Sequence, residues 1–312
     1  MANSSLPESA LLQSRFRGCM LGLAVGDALG APFEGAWFLK PYQVKDVAAK
    51  SSRLRYTDDA HMAIGLAESL IACKDLNGPH LAEVFTKNFE QEPWRGYGPG
   101  PPRIFKKIRA GLPWDKAAQD IYPGGSYGNG AAMRVAPAGL FYFKDFNKLV
   151  EAARAQSIIT HAHLLGQEGA VLLALTVALV AGGSRAPAAP EIIGQLKQYA
   201  AEDLYLQKLK DMEALLETKD LGEIASKLGN GVEAFNSVPA AICCALRHPG
   251  SFEETVLEAV SLGGDTDTIA CMAGAIAGAR LGSEAIPQQW LEKLENKDYF
   301  EELAVKLLEA VI

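Results

Sequence analysis

Gly263-Gly264-Asp265-Thr266-Asp267-Thr268-Ile269-Ala270-Cys271-Met272-Ala273-Gly274-Ala275-Ile276-Ala277-Gly278 is the stretch whose reading decides the fold. From about Thr268 onward it is a helix built of small residues. Ala270, Gly274 and Gly278 stand four apart, on one face, so a neighbouring helix can approach closely. We read this as tight packing in a protein core rather than as a membrane dimer motif. The longest apolar runs, Ala170 to Ala181 and Ile269 to Ala279, fall short of the roughly 18–20 residues that a membrane span needs. Both are expected to be buried helices.

The same helical period recurs through the chain. Phe16, Cys19, Met20, Leu23 and Ala24 fall three and four apart, as do Met62, Leu66 and Leu70, then Leu81, Val84, Phe85 and Phe89, and Leu149, Ala152, Ala153 and Gln156. Alternating runs rich in Val, Ile, Thr and Tyr are missing, so few strands are expected. Three loops interrupt the rhythm: Gly26 to Arg55, Glu92 to Pro102, and Tyr122 to Gly130. Ser184 to Pro190 reads as a surface connection. There is no linker and no internal repeat. One all-helical domain over 1–312, with its core from about residue 12, is the economical reading.

Composition narrows the function classes. Thirty Lys and Arg against 37 Asp and Glu give a net charge of −7. An acidic balance is ill suited to coating nucleic acid or an anionic membrane. The densest basic cluster, Lys106, Lys107 and Arg109, reads as a solvated helix face. The five cysteines, Cys19, Cys73, Cys243, Cys244 and Cys271, form no CxxC pair. Neither a disulfide framework nor a thiolate zinc site is expected, and reduced thiols in the cytoplasm are the default. Met1 to Ala10 lacks the basic and apolar regions of a secretory leader.

Two acidic elements stand out, Thr57-Asp58-Asp59 and Asp265-Thr266-Asp267-Thr268. Each precedes a helical segment, so capping is the plain alternative, because Asp and Thr accept hydrogen bonds from the free amides of a first turn. Yet capping needs one side chain, and each element offers at least three oxygen-bearing ones. Carboxylates this crowded repel unless a cation or protons intervene. An all-oxygen set of carboxylates and hydroxyls suits a hard cation, Mg²⁺ or Ca²⁺, rather than zinc, and four carboxylates can hold two ions. Asp265 and Asp267 converge only if the helix starts beside them, a turn that Gly263 and Gly264 permit.

Other candidates are less specific. Glu34 lies in a Pro- and Gly-flanked loop, where a solvated glutamate is the plain alternative. Asp27 reads as a helix-end or backbone-bonding group. The glycine-rich Gly96 to Gly100 and Gly125 to Gly130 either make turns or cradle an anion with their amides; neither is a Walker loop. Tyr127 offers an aromatic face for stacking. His161 and His163, two apart, would not share a helix face, so a joint zinc site is not expected. No nucleophile elbow or triad motif is present.

With these residues in view, the chain resembles the ADP-ribosylglycohydrolase family. The resemblance is carried by Gly18 to Gly35 (GCMLGLAVGDALGAPFEG), Tyr56 to Met62 (YTDDAHM), Gly125 to Leu140 (GSYGNGAAMRVAPAGL), Thr160-His161-Ala162, Leu228 to Ile242 (LGNGVEAFNSVPAAI) and Ser261 to Gly278 (SLGGDTDTIACMAGAIAG). TDD together with GGDTDT is highly specific. RGYGPG, GSYGNG and LGNGVEAF are most similar to the branch of ADP-ribosylserine and poly(ADP-ribose) hydrolases. One departure is Ala60, where the family often has a second threonine.

The resemblance implies a compact, all-α, orthogonal multi-helix bundle with a binuclear metal site in a central cleft. It implies two Mg²⁺ ions, with Mn²⁺ as the alternative, held by Thr57, Asp58, Asp59, Asp265, Asp267 and Thr268. Glu34 would be the catalytic acid or base in a mobile loop. Gly98, Gly100, Ser126, Tyr127, Gly128, Asn129 and His161 would bind ADP-ribose, Tyr127 by stacking. The implied reaction is hydrolysis of the glycosidic bond at C1″ of ADP-ribose attached to serine or within poly(ADP-ribose). An arginine-directed hydrolase of the nitrogenase-regulating type and a catalytically silent ADP-ribose or metal binder are the alternatives. The implied partners are an ADP-ribosylated protein or the polymer, with no nucleic acid and no membrane. A monomer in the cytoplasm is expected, or in the nucleus if the cell is eukaryotic.

Overall fold

The protein is described from a computed structural model that covers residues 8–183 and 185–312. Its described residues are helical, with only two isolated bridges, Leu54 with Leu294 and Gly128 with Glu233, in place of strands. Met1 to Pro7 and Ser184 lie outside the described residues. Arg185 to Ala188 is an irregular connection, and the next helix begins at Ala189.

At the centre, the Glu8–Gly30 helix runs antiparallel against the Thr266–Leu281 helix. The small-residue stripe of the second helix meets a matching stripe on the first. A Cβ on Gly18 would lie 2.3 Å from the Gly278 carbonyl oxygen, one on Gly22 2.3 Å from that of Gly274, one on Gly26 2.0 Å from that of Ala270, and one on Gly30 2.4 Å from that of Thr266. Backbone meets backbone along four turns, and no side chain larger than hydrogen fits at those four positions. This packing corrects the expected loop from Gly26 to Arg55. Gly26 and Gly30 are contact residues inside the helix, and a short 3₁₀ turn follows at Ala31–Phe33. Pro41 then opens a further helix, Pro41–Lys50, as a proline at the first helical position does.

The Leu164–Ala181 helix passes through the interior and packs on the Phe146–Ser157, Ala136–Phe141, Ala234–Arg247 and Thr266–Leu281 helices. It is longer than its apolar run in the sequence suggested, and is long and apolar enough by length and composition to cross a membrane. Its side chains are packed inside the protein over 78 % of that window, the setting of a core helix. Cys19, Cys243, Cys244 and Cys271 are buried free thiols, and Cys73 is half-buried and free.

Candidate active site

The site forms where three chain segments end against one another. Gly263 (φ 70°) and Gly264 (φ 73°) take left-handed backbone that other residues resist, which turns the chain sharply into the Thr266–Leu281 helix. Gly35 donates its N–H to the Gly264 carbonyl at 2.8 Å, and Gly264 donates to that of Ala36 at 2.9 Å. This two-bond clasp holds the Glu34 loop on the acidic turn. From the other side, Asp265 donates its N–H to the Asn230 carbonyl at 2.8 Å, so Leu228 to Asn236 buttresses the same turn.

The second acidic element is held by the first helix. Buried Asp27 accepts the Thr57 N–H on both oxygens at 3.0 Å and the Ala60 N–H at 3.0 Å. Thr57 Oγ1 accepts a long bond from the Asp59 N–H, at 3.4 Å. The capping of the Asp58–Cys73 helix is therefore carried by Asp27 and Thr57. Asp58 and Asp59 are left free of it. Asp265 occupies the N-cap position of its own helix yet makes no capping bond. Its carboxylate accepts instead from Asn129 Nδ2 at 2.5 Å. Only Asp267 bonds locally, accepting from the Thr268 N–H at 2.9 Å. The capping alternative thus accounts for Thr57 and leaves most of the carboxylates unexplained.

A cleft of about 330 Å³ is lined by Glu34, Thr57, Asp58, Asp59, Gly98, Gly100, Ser126, Gly128, Asn129, His161, Asp265, Asp267 and Thr268. Every residue that the family resemblance assigned to the site is brought to it except Tyr127. That ring is half exposed, lies outside the lining, and packs edge-on to His163 at 5.6 Å and against Phe235 at 5.9 Å. His161 and His163 stand in the turn before the Leu164–Ala181 helix rather than on a helix. His163 Nδ1 accepts the Leu165 N–H as that helix's N-cap. Fit demands glycine at one of two cleft positions: a Cβ on Gly100 would come to 3.0 Å of the Tyr122 ring, while one on Gly98 would meet nothing.

Charge in the cleft is one-sided. Glu34, Asp265 and Asp267 bring carboxylate oxygens within 4.8 Å of one another. Burial and then the charge of Asp267 push the Asp58 carboxyl up to about 7 and that of Asp265 up to about 8. The same causes push Asp59 and Asp27 well above the usual carboxylate range. Asp267, then burial, raises Glu34. None of these groups is in an ion pair among the described residues, and the buried Asp59 Oδ2 has no hydrogen-bond partner. An orphaned oxygen beside crowded, uncompensated carboxylates is what an all-oxygen site for a hard cation presents. The residues fit such a group.

Several contributors escaped the sequence reading. The Asn230 and Val232 carbonyls brace the cleft by accepting from the Asp265 and Asn129 N–H groups, and such backbone bonds leave no mark on residue type. Asp27 was legible as a backbone-bonding group, but its partners lie 30 and 33 residues away. Ala60, at the departure from the family pattern, is fully buried in the core.

Comparisons with known proteins give the family and the fold. A family model described as ADP-ribosylglycohydrolase matches residues 8–312. The chain is 36 % identical to the mouse ADP-ribosylhydrolase ARH3, over 94 % of this chain and 91 % of that protein. It is 34 % identical to the human ADP-ribosylhydrolase ARH3, over 94 % and 93 %. A solved structure described as an ADP-ribosylglycohydrolase-related protein complex superposes with a TM-score of 0.73 at 25 % identity, covering 97 % of this chain and all of that one. The all-helical fold is thus that of a known lineage, and the chain belongs to the ADP-ribosylglycohydrolase family of glycosidic-bond hydrolases.

Proposed function

We propose that this protein is a Mg²⁺-dependent hydrolase that releases ADP-ribose from O-linked ADP-ribosylserine or from poly(ADP-ribose). The observation that carries the reading is the convergence of Glu34, Thr57, Asp58, Asp59, Asp265, Asp267 and Thr268 on one cleft floored with glycine. The similarity to the ADP-ribosylhydrolase ARH3 proteins supports the substrate class.

Thr57, Asp58 and Asp59 from one turn, with Asp265, Asp267 and Thr268 from the other, would hold two ions. Bound there, divalent ions would neutralise the carboxylates and supply Lewis acidity toward ribose hydroxyls and water. The chain's own groups do the rest. Backbone amides of Gly98, Gly100 and Ser126, with Gly128 and Asn129 lining the same stretch, and the imidazole of His161 bind the diphosphate end of the ligand. This orients the distal ribose toward the acidic floor. Departure of the acceptor leaves C1″ oxocarbenium-like, and Glu34 moves the proton, to the departing oxygen or from the attacking water. Its carboxyl lines the cleft on a loop clasped to the acidic turn, with an oxygen within 4.8 Å of those of Asp265 and Asp267.

Release of free ADP-ribose from a serine-modified peptide, with and without Mg²⁺, tests the reading directly. Mg²⁺-dependent release on the serine peptide and none on an arginine-modified one is the expected result. Release from arginine alone would move the protein to the arginine-directed branch. Binding of ADP-ribose without turnover on any substrate would make it a silent relative.

A further inference from the structure

Arg134 is the largest side chain that the fold encloses completely, and it forms no ion pair among the described residues. Its Nε donates to Gln156 Oε1 at 2.7 Å and its Nη2 to the Gln156 carbonyl at 2.8 Å. Its Cζ lies 4.6 Å from the centre of the Phe85 ring. The remaining arm, Nη1, donates to Thr160 Oγ1 at 2.8 Å. Thr160 is buried, and its Oγ1 stands 2.8 Å from His161 Nδ1.

These contacts settle where the hydrogens lie. A guanidinium only donates, so the Thr160 oxygen accepts from Arg134. The Thr160 hydroxyl hydrogen then has one acceptor in reach among the described residues, His161 Nδ1. The opposite arrangement, with Nδ1–H donating to Thr160, would strand that hydroxyl hydrogen in the interior without a partner. With Nδ1 accepting, the ring proton of a neutral imidazole must sit on Nε2. Nε2 bonds to no described residue, and His161 lines the cleft. The ring is held in place by the glycine loop. A Cβ on Gly130 would come to 2.5 Å of the His161 Cε1, and one on Gly128 to 3.3 Å of its Nε2.

We propose that Thr160, its hydroxyl aimed by Arg134, is a positioning residue that fixes His161 as the neutral Nε2–H tautomer and so presents the cleft with a hydrogen-bond donor for an anionic oxygen. Burial, then the charge of Arg134, lowers the imidazole pKa to about 3, in keeping with a neutral ring. That the anionic oxygen is a phosphate oxygen of ADP-ribose rests on the function proposed above. The tautomer does not.

The test separates hydroxyl chemistry from packing. Thr160→Val keeps the shape and removes the hydroxyl; Thr160→Ser keeps the hydroxyl and removes the methyl. In ¹⁵N-histidine-labelled protein, long-range ¹H–¹⁵N spectra, with His161 assigned by its loss in His161→Gln, report which ring nitrogen carries hydrogen. Wild type and Thr160→Ser are expected to show a protonated Nε2 and a bare Nδ1, and Thr160→Val averaged nitrogen shifts. ADP-ribose affinity, titrated by calorimetry, is expected to fall about tenfold in Thr160→Val, the scale of one hydrogen bond to a charged group, and to stay near wild type in Thr160→Ser. A protonated Nδ1 in wild type, or a signature unmoved in Thr160→Val, overturns the proposal. If the signatures behave as expected while no variant and no wild type binds ADP-ribose, the tautomer assignment stands and the functional reading falls.

Discussion

Buried acid is handled in two opposite ways in this molecule. At Glu258 each carboxylate oxygen meets a cation: Arg247 Nε donates at 2.7 Å and Nη2 at 3.2 Å, and His248 Nε2 lies 2.9 Å away. Burial raises that carboxyl, but the bonds from His248 and Arg247 outweigh it and hold it below its usual range. Arg95 likewise joins Glu92 at 2.6 Å and Glu295 at 2.9 Å, over the Tyr56 ring. In the cleft the carboxylates of Asp58, Asp59 and Asp265 are buried with no such partner among the described residues, and burial with mutual repulsion drives them upward. The cation sites at Glu258 and Glu295 are supplied by the chain. In the cleft the described residues supply none, and we propose that a divalent ion takes that role.

The comparison can be broken in several places. The largest effect is expected at Glu34, the one cleft carboxylate assigned to proton transfer. Glu34→Gln should lower turnover by about 10²–10⁴ with ADP-ribose affinity nearly unchanged; steady-state kinetics beside a binding titration would show unaltered turnover if Glu34 belongs only to the acid cluster. Next comes the ion itself. At about a hundredfold excess of Mg²⁺ over its dissociation constant, each site should stabilise the fold by roughly 2.7 kcal/mol, seen as a rise in Tm. Asp265→Ala should lose most of that rise, and a wild-type response in this variant would remove Asp265 from the ligand set.

Arg247→Met probes the compensated region. It leaves Glu258 with His248 alone and should cost about 2–3 kcal/mol in urea unfolding. A neutral outcome would mean that the Glu258 cluster contributes no net stability. The most telling test reads a sign alone, that of the pH dependence of stability. Glu258, held low, contributes stability that is present above its unfolded value and lost as pH falls through its folded one. Asp58 and Asp265, raised to about 7 and about 8, act the other way. The metal-free protein should lose stability as pH climbs from the unfolded aspartate value, about 3.9, toward that range, and Asp265→Asn should flatten the fall. Urea midpoints from pH 5 to 8 without divalent ions would contradict the contrast if the wild type became more stable across the window.

Much of this was open to a reader of the residues. The helical class followed from apolar spacing, because a 3.6-residue period needs only local repetition. The two acidic elements were visible since no single cap uses so many oxygens. Glu34 stood out only as one loop candidate beside a plain alternative, and its role was supplied by the family resemblance. The stripe of Gly18, Gly22, Gly26 and Gly30 was missed and half of it taken for a loop, because glycine reads as a breaker until its partner helix is seen. Arg134 and Thr160 looked like ordinary members of their segments. Nothing local tells a buried arginine from a solvated one.

Sequence alone determined the elements: which segments are helical, where oxygen ligands crowd, and that glycine lines the approach. These depend on neighbours within a turn or two of the chain. Tertiary structure decided the pairing. The glycine-on-glycine contact of two distant helices sets Asp265 and Asp267 opposite Asp58 and Asp59, and makes Asp27 a cap for another helix. It also turned Tyr127 away from the cleft. Such choices rest on close packing between segments far apart in the chain, and that is a property of the folded whole.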